Sequence, residues 1–186
     1  SAGVSVDVYD AMPSVGRKFL LAGKGGLNLT HSEPADIFVT RFGARREQIE
    51  PLLNTFGAAQ VREWAKTLGV ETFVGTSGRV FPTDMKAAPL LRAWLHRLRH
   101  PVGGQAVRFH MRHRWTGWQS DGAVGAQLKF ETPGGEVTAQ ADAVVLALGG
   151  GSWARLGSDG AWVPLLAVRG VAVAPLLPSN CGFDVA

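Results

Sequence analysis

Ala143-Val144-Val145-Leu146-Ala147-Leu148-Gly149-Gly150-Gly151-Ser152 is the stretch on which the fold reading turns. Six consecutive apolar residues mark a strand buried on both faces, as in a parallel sheet covered by helices. The glycines that follow place bare backbone at the C-terminal end of that strand, where α/β folds bind ligands. A flexible linker has a similar composition, but seldom follows a buried strand so directly.

Working outward, Val4, Val6 and Val8 alternate with Ser5, Asp7 and Tyr9, a period-two pattern ending on Asp10. A loop is expected from Ala11 to His31, rich in glycine and basic residues. Two helical stretches follow; in the second, Val61, Trp64, Ala65 and Leu68 share a face and Gly69 closes it. Extended segments at Glu71–Val74 and Arg79–Phe81 flank a Ser77-Gly78 turn. The next helix starts at Pro82-Thr83-Asp84, with Thr83 or Asp84 as cap, and buries Ala87, Leu91, Trp94, Leu95 and Leu98. Its opposite face, Arg92, His96, Arg97, Arg99 and His100, reads as solvated.

From Val107 the period returns to two: Val107, Phe109, Met111, His113 and Trp115 alternate with Arg108, His110, Arg112 and Arg114 along one strand. A hairpin joins Gln127–Glu131 to Glu136–Ala139 through Pro133-Gly134-Gly135, and a helix from about Ala161 to Val168 leads to a short strand at Val171–Val173. Strands mixed with helices give an α/β fold.

The 186 residues are 46% hydrophobic and 18% charged, which suits a folded protein and excludes a disordered one. No apolar run approaches the roughly 20 residues of a membrane span. No signal peptide is visible, and the single cysteine, Cys181, rules out an internal disulfide. A cytoplasmic location is therefore expected, and the Asn28-Leu29-Thr30 sequon carries no weight. Both ends read as cuts within a longer protein. The net charge of +4 can favour nucleic acid, anionic lipid or an anionic small molecule such as a dinucleotide; the excess is modest, and the last needs only a few local charges.

Three features carry chemistry. Asp10, at a strand end, suits the acid that accepts ribose hydroxyls in dinucleotide folds. Gly16-Arg17-Lys18 and Gly23-Lys24-Gly25-Gly26-Leu27-Asn28-Leu29-Thr30 combine flexible backbone, positive charge and polar side chains, as an anion site needs. The third is the glycine turn after Leu148. His96 and His100 lack a third metal ligand, and His110 and His113 are expected on opposite strand faces, so no metal site is assigned. No Ser–His–Asp set can be assembled, and no catalytic acid or base is named.

Together with Val80-Phe81-Pro82, Lys86-Ala87 and Gly157-Ser158-Asp159-Gly160, these motifs resemble those of the bacterial flavoproteins known as NAD(FAD)-utilising dehydrogenases, in the two-dinucleotide-binding-domain flavoprotein superfamily. The resemblance runs from Val4 to the C-terminus. It implies an FAD/NAD(P)-binding Rossmann-like domain of three-layer ββα form, incomplete, over residues 1–151, with a substrate-side domain starting in 152–186. It also implies a cofactor set. Asp10 would hold the adenosine ribose; Arg17, Lys18, Gly23, Gly25, Gly26, Asn28 and Thr30 would line the flavin side. The backbone at Trp115 would touch adenine, and Ala147, Gly149 and Gly150 would pass close to the cofactor.

The implied activity is FAD-dependent redox of a small organic substrate: reduction of an unsaturated compound or oxidation of a small amine, with NAD(P)H as a candidate electron donor. The chain departs from the family in lacking an opening Gly-x-Gly-x-x-Gly turn, in carrying Gly25-Gly26-Leu27-Asn28 where Gly-Arg-Cys-Asn is common, and in lacking the returning C-terminal part of the domain. Alone it is therefore expected to bind FAD poorly and to be inactive. Two rivals stand beside this reading: an inactive truncated scaffold, and a nucleic-acid module built on Arg108, His110, Arg112 and Arg114. In the latter, Phe109 and Trp115 fall on the other strand face and read as core.

Overall fold

The computed structural model describes residues 3–119 and 126–177, which form two compact units. One contains Phe19–Ala106 together with residues 3–4. The other joins Ser5–Lys18 to the described residues from Val107 onward.

In the first unit, α2 (Ala35–Phe38), α3 (Arg46–Thr55), α4 (Ala58–Thr67) and α5 (Ala87–Arg99) accompany an antiparallel sheet in the order β2 (Thr30–His31), β4 (Arg79–Pro82), β3 (Thr72–Val74). The core gathers Leu27, Ala65, Ala87 and Leu90, with Phe19, Leu29, Trp64, Leu68 and Val70 packed against it. Helix α4 is the element the sequence specifies best. Gly57 caps its start, its N–H donating to Gln60 Oε1 at 3.1 Å. Gly69, at φ +76°, ends it, with Gly69 N–H bonded to the Lys66 carbonyl and Val70 N–H to that of Ala65. That bond pair is a Schellman stop.

Helix α5 begins later than expected. Met85 adopts a left-handed φ of +62°, and the helix starts at Ala87 with Lys86 at the cap position. Asp84 Oδ1 accepts the Lys86 N–H instead of capping the helix, and Thr83 bonds the Glu71 carbonyl. Core contact concentrates in the first turns, so Leu90 is fully buried while Trp94 keeps 37% of its surface exposed. The basic face is exposed, and Arg97 reaches Thr67 at the end of α4.

In the second unit, β1 (Asp7–Asp10) pairs in parallel with β5 (Arg108–Met111), Asp7 opposite Arg108 and Asp10 opposite Met111. A parallel pair needs a long crossover, and residues 11–107, which include Phe19–Ala106 of the first unit, supply it. The expected loop from Ala11 to His31 is interrupted by α1 (Arg17–Ala22) and by β2. Phe19, Leu20, Leu21 and Ala22 supply the helix-forming side chains.

The long alternating strand expected from Val107 is broken. Arg112 takes φ +60°, ending β5, and β6 (Arg114–Trp118) joins a different, antiparallel sheet with β7 (Ala126–Thr132) and β8 (Gly135–Ala141). The β7–β8 hairpin closes through Pro133 and Gly134, and β7 buries Leu128 and Phe130. The last helix among the described residues is α6 (Trp162–Ala167).

Two expected strands do not form. Ala143–Leu148 lies in no strand, and Val145 is 90% exposed; Val171–Val173 is also unpaired. Apolar composition identifies what can be buried, but a strand exists only where a neighbour takes its backbone hydrogen bonds. No described strand lies beside either segment. Cys181 falls outside the described residues, and among those described no helix is long and apolar enough to cross a membrane.

Leu90→Ala should cost about 2–5 kcal/mol of stability through the cavity it leaves. A urea unfolding curve measures this as a lowered midpoint at unchanged slope.

Candidate functional site

The end of β1 organises the second unit's candidate residues. Asp10 Oδ1 accepts the Met12 N–H at 2.8 Å, turning the chain away from the sheet. The Asp10 and Met12 carbonyls accept the N–H groups of His113 and Arg112, tying this turn to the β5–β6 junction. Gly16, at φ +72°, then admits the chain to α1, which carries Arg17 and Lys18.

Lys18 reaches across to the glycine turn. Its Nζ donates to Ser152 Oγ at 2.8 Å and to Ser158 Oγ at 3.1 Å. Ser158 is buried, at 4% exposure. Both partners are neutral, and none of the ion pairs among the described residues includes Lys18. Arg17 Nε is buried without a hydrogen-bond partner among the described residues.

The turn itself is tightly braced. The Gly149 carbonyl accepts from Trp162 Nε1 at 3.1 Å, and the Gly150 carbonyl from the Gly160 N–H at 3.1 Å. Trp153 and Ser158 form a β-bridge. Gly157 must be glycine: its φ is +86°, and a Cβ there would lie 2.9 Å from Met12 Cγ. Asp159 accepts the Ala161 N–H at the start of α6 and pairs with Arg114 at 3.0 Å. The Ala161 N–H, aided by Arg114, holds the Asp159 carboxyl below its ordinary value. By contrast a Cβ on Gly150 would meet open space. Ala147 and Gly149 are exposed as well. Trp115 packs edge-on against Trp118, its own Nε1 buried and unpartnered among the described residues.

Gly23, Gly25, Gly26, Asn28 and Thr30 belong to the other unit. Gly23 is required by packing, since an added Cβ would lie 2.4 Å from Ala87 Cβ, and Gly26 by its backbone, at φ +114°. Thr30 is in the ladder opposite Val80, while Gly25 and Asn28 are exposed. This unit also contains a cavity of about 550 Å³, lined in part by His31, Phe38, Leu53, Asn54 and Gln60, which no sequence motif marked.

A cluster on β1 and β5 escaped the sequence reading. Asp7 accepts from Arg108 Nε at 2.7 Å and from Arg108 Nη2, and lies 2.6 Å from His110 Nε2. Tyr9 is stacked between His110 and Phe130, with ring centroids 4.5 and 4.3 Å away, and His113 meets its edge. His110 and His113 thus come within 5.6 Å of each other, correcting their expected placement on opposite faces. The reversal at Arg112 resets the alternation. The arginine row is broken too: Arg108 pairs with Asp7, and Arg114 with Asp159.

Residues 1–182 match the family model described as the HI0933-like protein Rossmann domain. A 3-dehydro-bile acid delta(4,6)-reductase from Clostridium scindens is 28% identical over 179 residues, covering 94% of this chain and 40% of that protein. The chain therefore spans about two-fifths of the length of this curated relative.

Hydrogen bonds from Arg108, seconded by His110, hold Asp7 far below its ordinary 3.8. Its contribution to stability is then present above that value and lost as pH falls below it toward the depressed folded-state value. Asp7→Asn should unfold more readily than the parent at neutral pH, by a small margin because the pair is solvent-accessible. Denaturation midpoints taken from pH 6 to pH 2 should show the gap closing only at the acid end.

Proposed function

The chain belongs to the HI0933-like Rossmann-domain family, within the FAD-binding flavoprotein superfamily, and from that premise we propose that it supplies part of the FAD site of an oxidoreductase acting on a small organic substrate. The observation that carries this reading is the braced turn at Gly149–Gly151. It leaves Gly150 open, is touched at Gly157 by Met12, and is reached by a lysine with no acidic partner among the described residues.

The residues fit the cofactor. Asp10 has committed only Oδ1 to a backbone amide among the described residues, leaving Oδ2 to accept a ribose hydroxyl. Arg17 carries a buried Nε in want of an acceptor, and an anionic cofactor group supplies acceptors. Gly149 and Gly150 allow backbone contact that a side chain would block. Trp115 is assigned to the adenine side. Gly23, Gly25, Gly26, Asn28 and Thr30, in the other unit, are proposed as cofactor residues on the family resemblance alone, Gly25 and Asn28 being exposed. Ala147 precedes the turn, and residues from Ser152 onward begin the substrate-side domain.

Bound FAD supplies two-electron transfer, and we assign NAD(P)H as the electron source. The relative's name, a reductase of a 3-dehydro bile acid, favours reduction of an unsaturated compound over oxidation of an amine. Because the chain covers 40% of that relative, this activity is proposed for the intact protein, which we place in the cytoplasm. The pairing of Arg108 with Asp7 and of Arg114 with Asp159 favours the flavoprotein reading over a nucleic-acid module.

The intact protein should carry or take up FAD, seen as absorbance bands near roughly 370 and 450 nm from a cofactor that brings its own chemistry. Asp10→Ala should weaken FAD binding by roughly tenfold or more, the loss of a hydrogen-bonded charged acceptor. A colourless protein that ignores added FAD would overturn the proposal.

A further inference from the structure

We propose that Lys18 is a positioning residue: it latches the Gly149–Ser158 segment in place and governs cofactor affinity through that segment, by way of Ser152 and Ser158, rather than as a counter-charge touching the cofactor. The effect on cofactor affinity rests on the FAD reading above; the latch itself does not.

Lys18 has three N–H donors, and two are spent on Ser152 Oγ and Ser158 Oγ at 2.8 and 3.1 Å. The two serines flank the short 3₁₀ turn Ala154–Leu156, itself closed by the Trp153–Ser158 bridge. One ammonium thus staples both ends of this turn to the first turn of α1. The inner anchor, Ser158, is buried, so losing its partner leaves a buried hydroxyl without this bond. Ser158 Oγ also lies 3.5 Å from where a Cβ on Gly149 would project, so the latch bears on the same glycine whose backbone is proposed to meet the cofactor.

The other braces act at different points of the segment, with Met12 packed at Gly157 beside Ser158. Arg114 and Asp159 fix the start of α6, and Trp162 and Gly160 hold the Gly149 and Gly150 carbonyls. Among the described residues, the side-chain hydrogen bonds of Ser152 and Ser158 reach α1 at Lys18. Arg155, exposed within the latched turn, provides a reporter, because trypsin cuts after arginine only when the local backbone opens.

The test uses the full chain with Lys18→Met, Lys18→Arg, Ser152→Ala/Ser158→Ala, and the combination of Lys18→Met with both serine changes. Without FAD, the rate of tryptic cleavage after Arg155 should rise roughly tenfold in Lys18→Met, since it tracks the open population once charge-assisted bonds are lost. The double serine variant should match it, and Lys18→Arg should recover most of the protection. If Lys18→Met fails to fold, the double serine variant carries the comparison. Unchanged cleavage in the folded variants overturns the latch.

In the intact protein, FAD affinity should fall roughly tenfold in Lys18→Met. Once both serines are alanine, adding Lys18→Met should cost nothing further. An equal further loss in that background would show direct contact with the cofactor and overturn the positioning role. If the intact protein binds no FAD, the flavoprotein reading falls, and cleavage after Arg155 still decides the latch.

Discussion

The second unit depends on the parallel pairing of β1 with β5, because that pairing fixes where the chain stops being a strand. Its four-residue register ends with Asp10 opposite Met111. Immediately beyond, the Asp10 and Met12 carbonyls take the amides of His113 and Arg112. The two strands therefore leave the sheet together. Asp10 is held at the edge with one carboxylate oxygen committed to its own turn, and Met12 is placed against Gly157. At the other end of the pair, Asp7 is bound by Arg108 and His110, which locks the register electrostatically as well as through the backbone.

From that pairing the remaining geometry follows in steps. The turn after β1 sets the start of α1, α1 carries Lys18, and Lys18 holds the two serines that flank the glycine turn. The arrangement gathers rigid backbone and hydroxyls on one set of short connections, and Arg17 beside Lys18 adds a charge whose buried Nε has no partner among the described residues. Sites of this kind favour ligands with several anionic or polar groups in a row, since backbone contacts position such a ligand while a few charges retain it. Substrate choice rests elsewhere, because a Rossmann-like frame leaves the chemistry to the cofactor and to what lies over it.

What the sequence revealed was mostly local. Helix α4 was legible because Val61, Trp64, Ala65 and Leu68 repeat at helical spacing and Gly69 supplies the left-handed stop. The hairpins around Ser77-Gly78 and Pro133-Gly134 were legible from turn residues alone. The misses all depended on something distant or on one unusual backbone angle. Met85 and Arg112, neither of them a residue that favours positive φ, delayed α5 and split the expected strand. Ala143–Leu148 had a strand's composition but no partner among the described residues. The Lys18 contacts join residues 134 and 140 positions apart, a distance no motif encodes. The sequence singles out Asp10, Gly16, Gly149 and Gly150 as candidates through short-range signals, an acid at a strand end and glycines in a run. The Asp7–Arg108–His110 cluster was missed because it exists only once β1 and β5 are known to be neighbours.

The most direct test of the account is amide hydrogen exchange of the intact protein with and without saturating FAD, followed by mass spectrometry. Slowed exchange is expected in peptides covering Asp10–Lys18 and Leu148–Ser152, the segments the cofactor is proposed to meet. Protection confined to other segments, with these two unchanged, would contradict it.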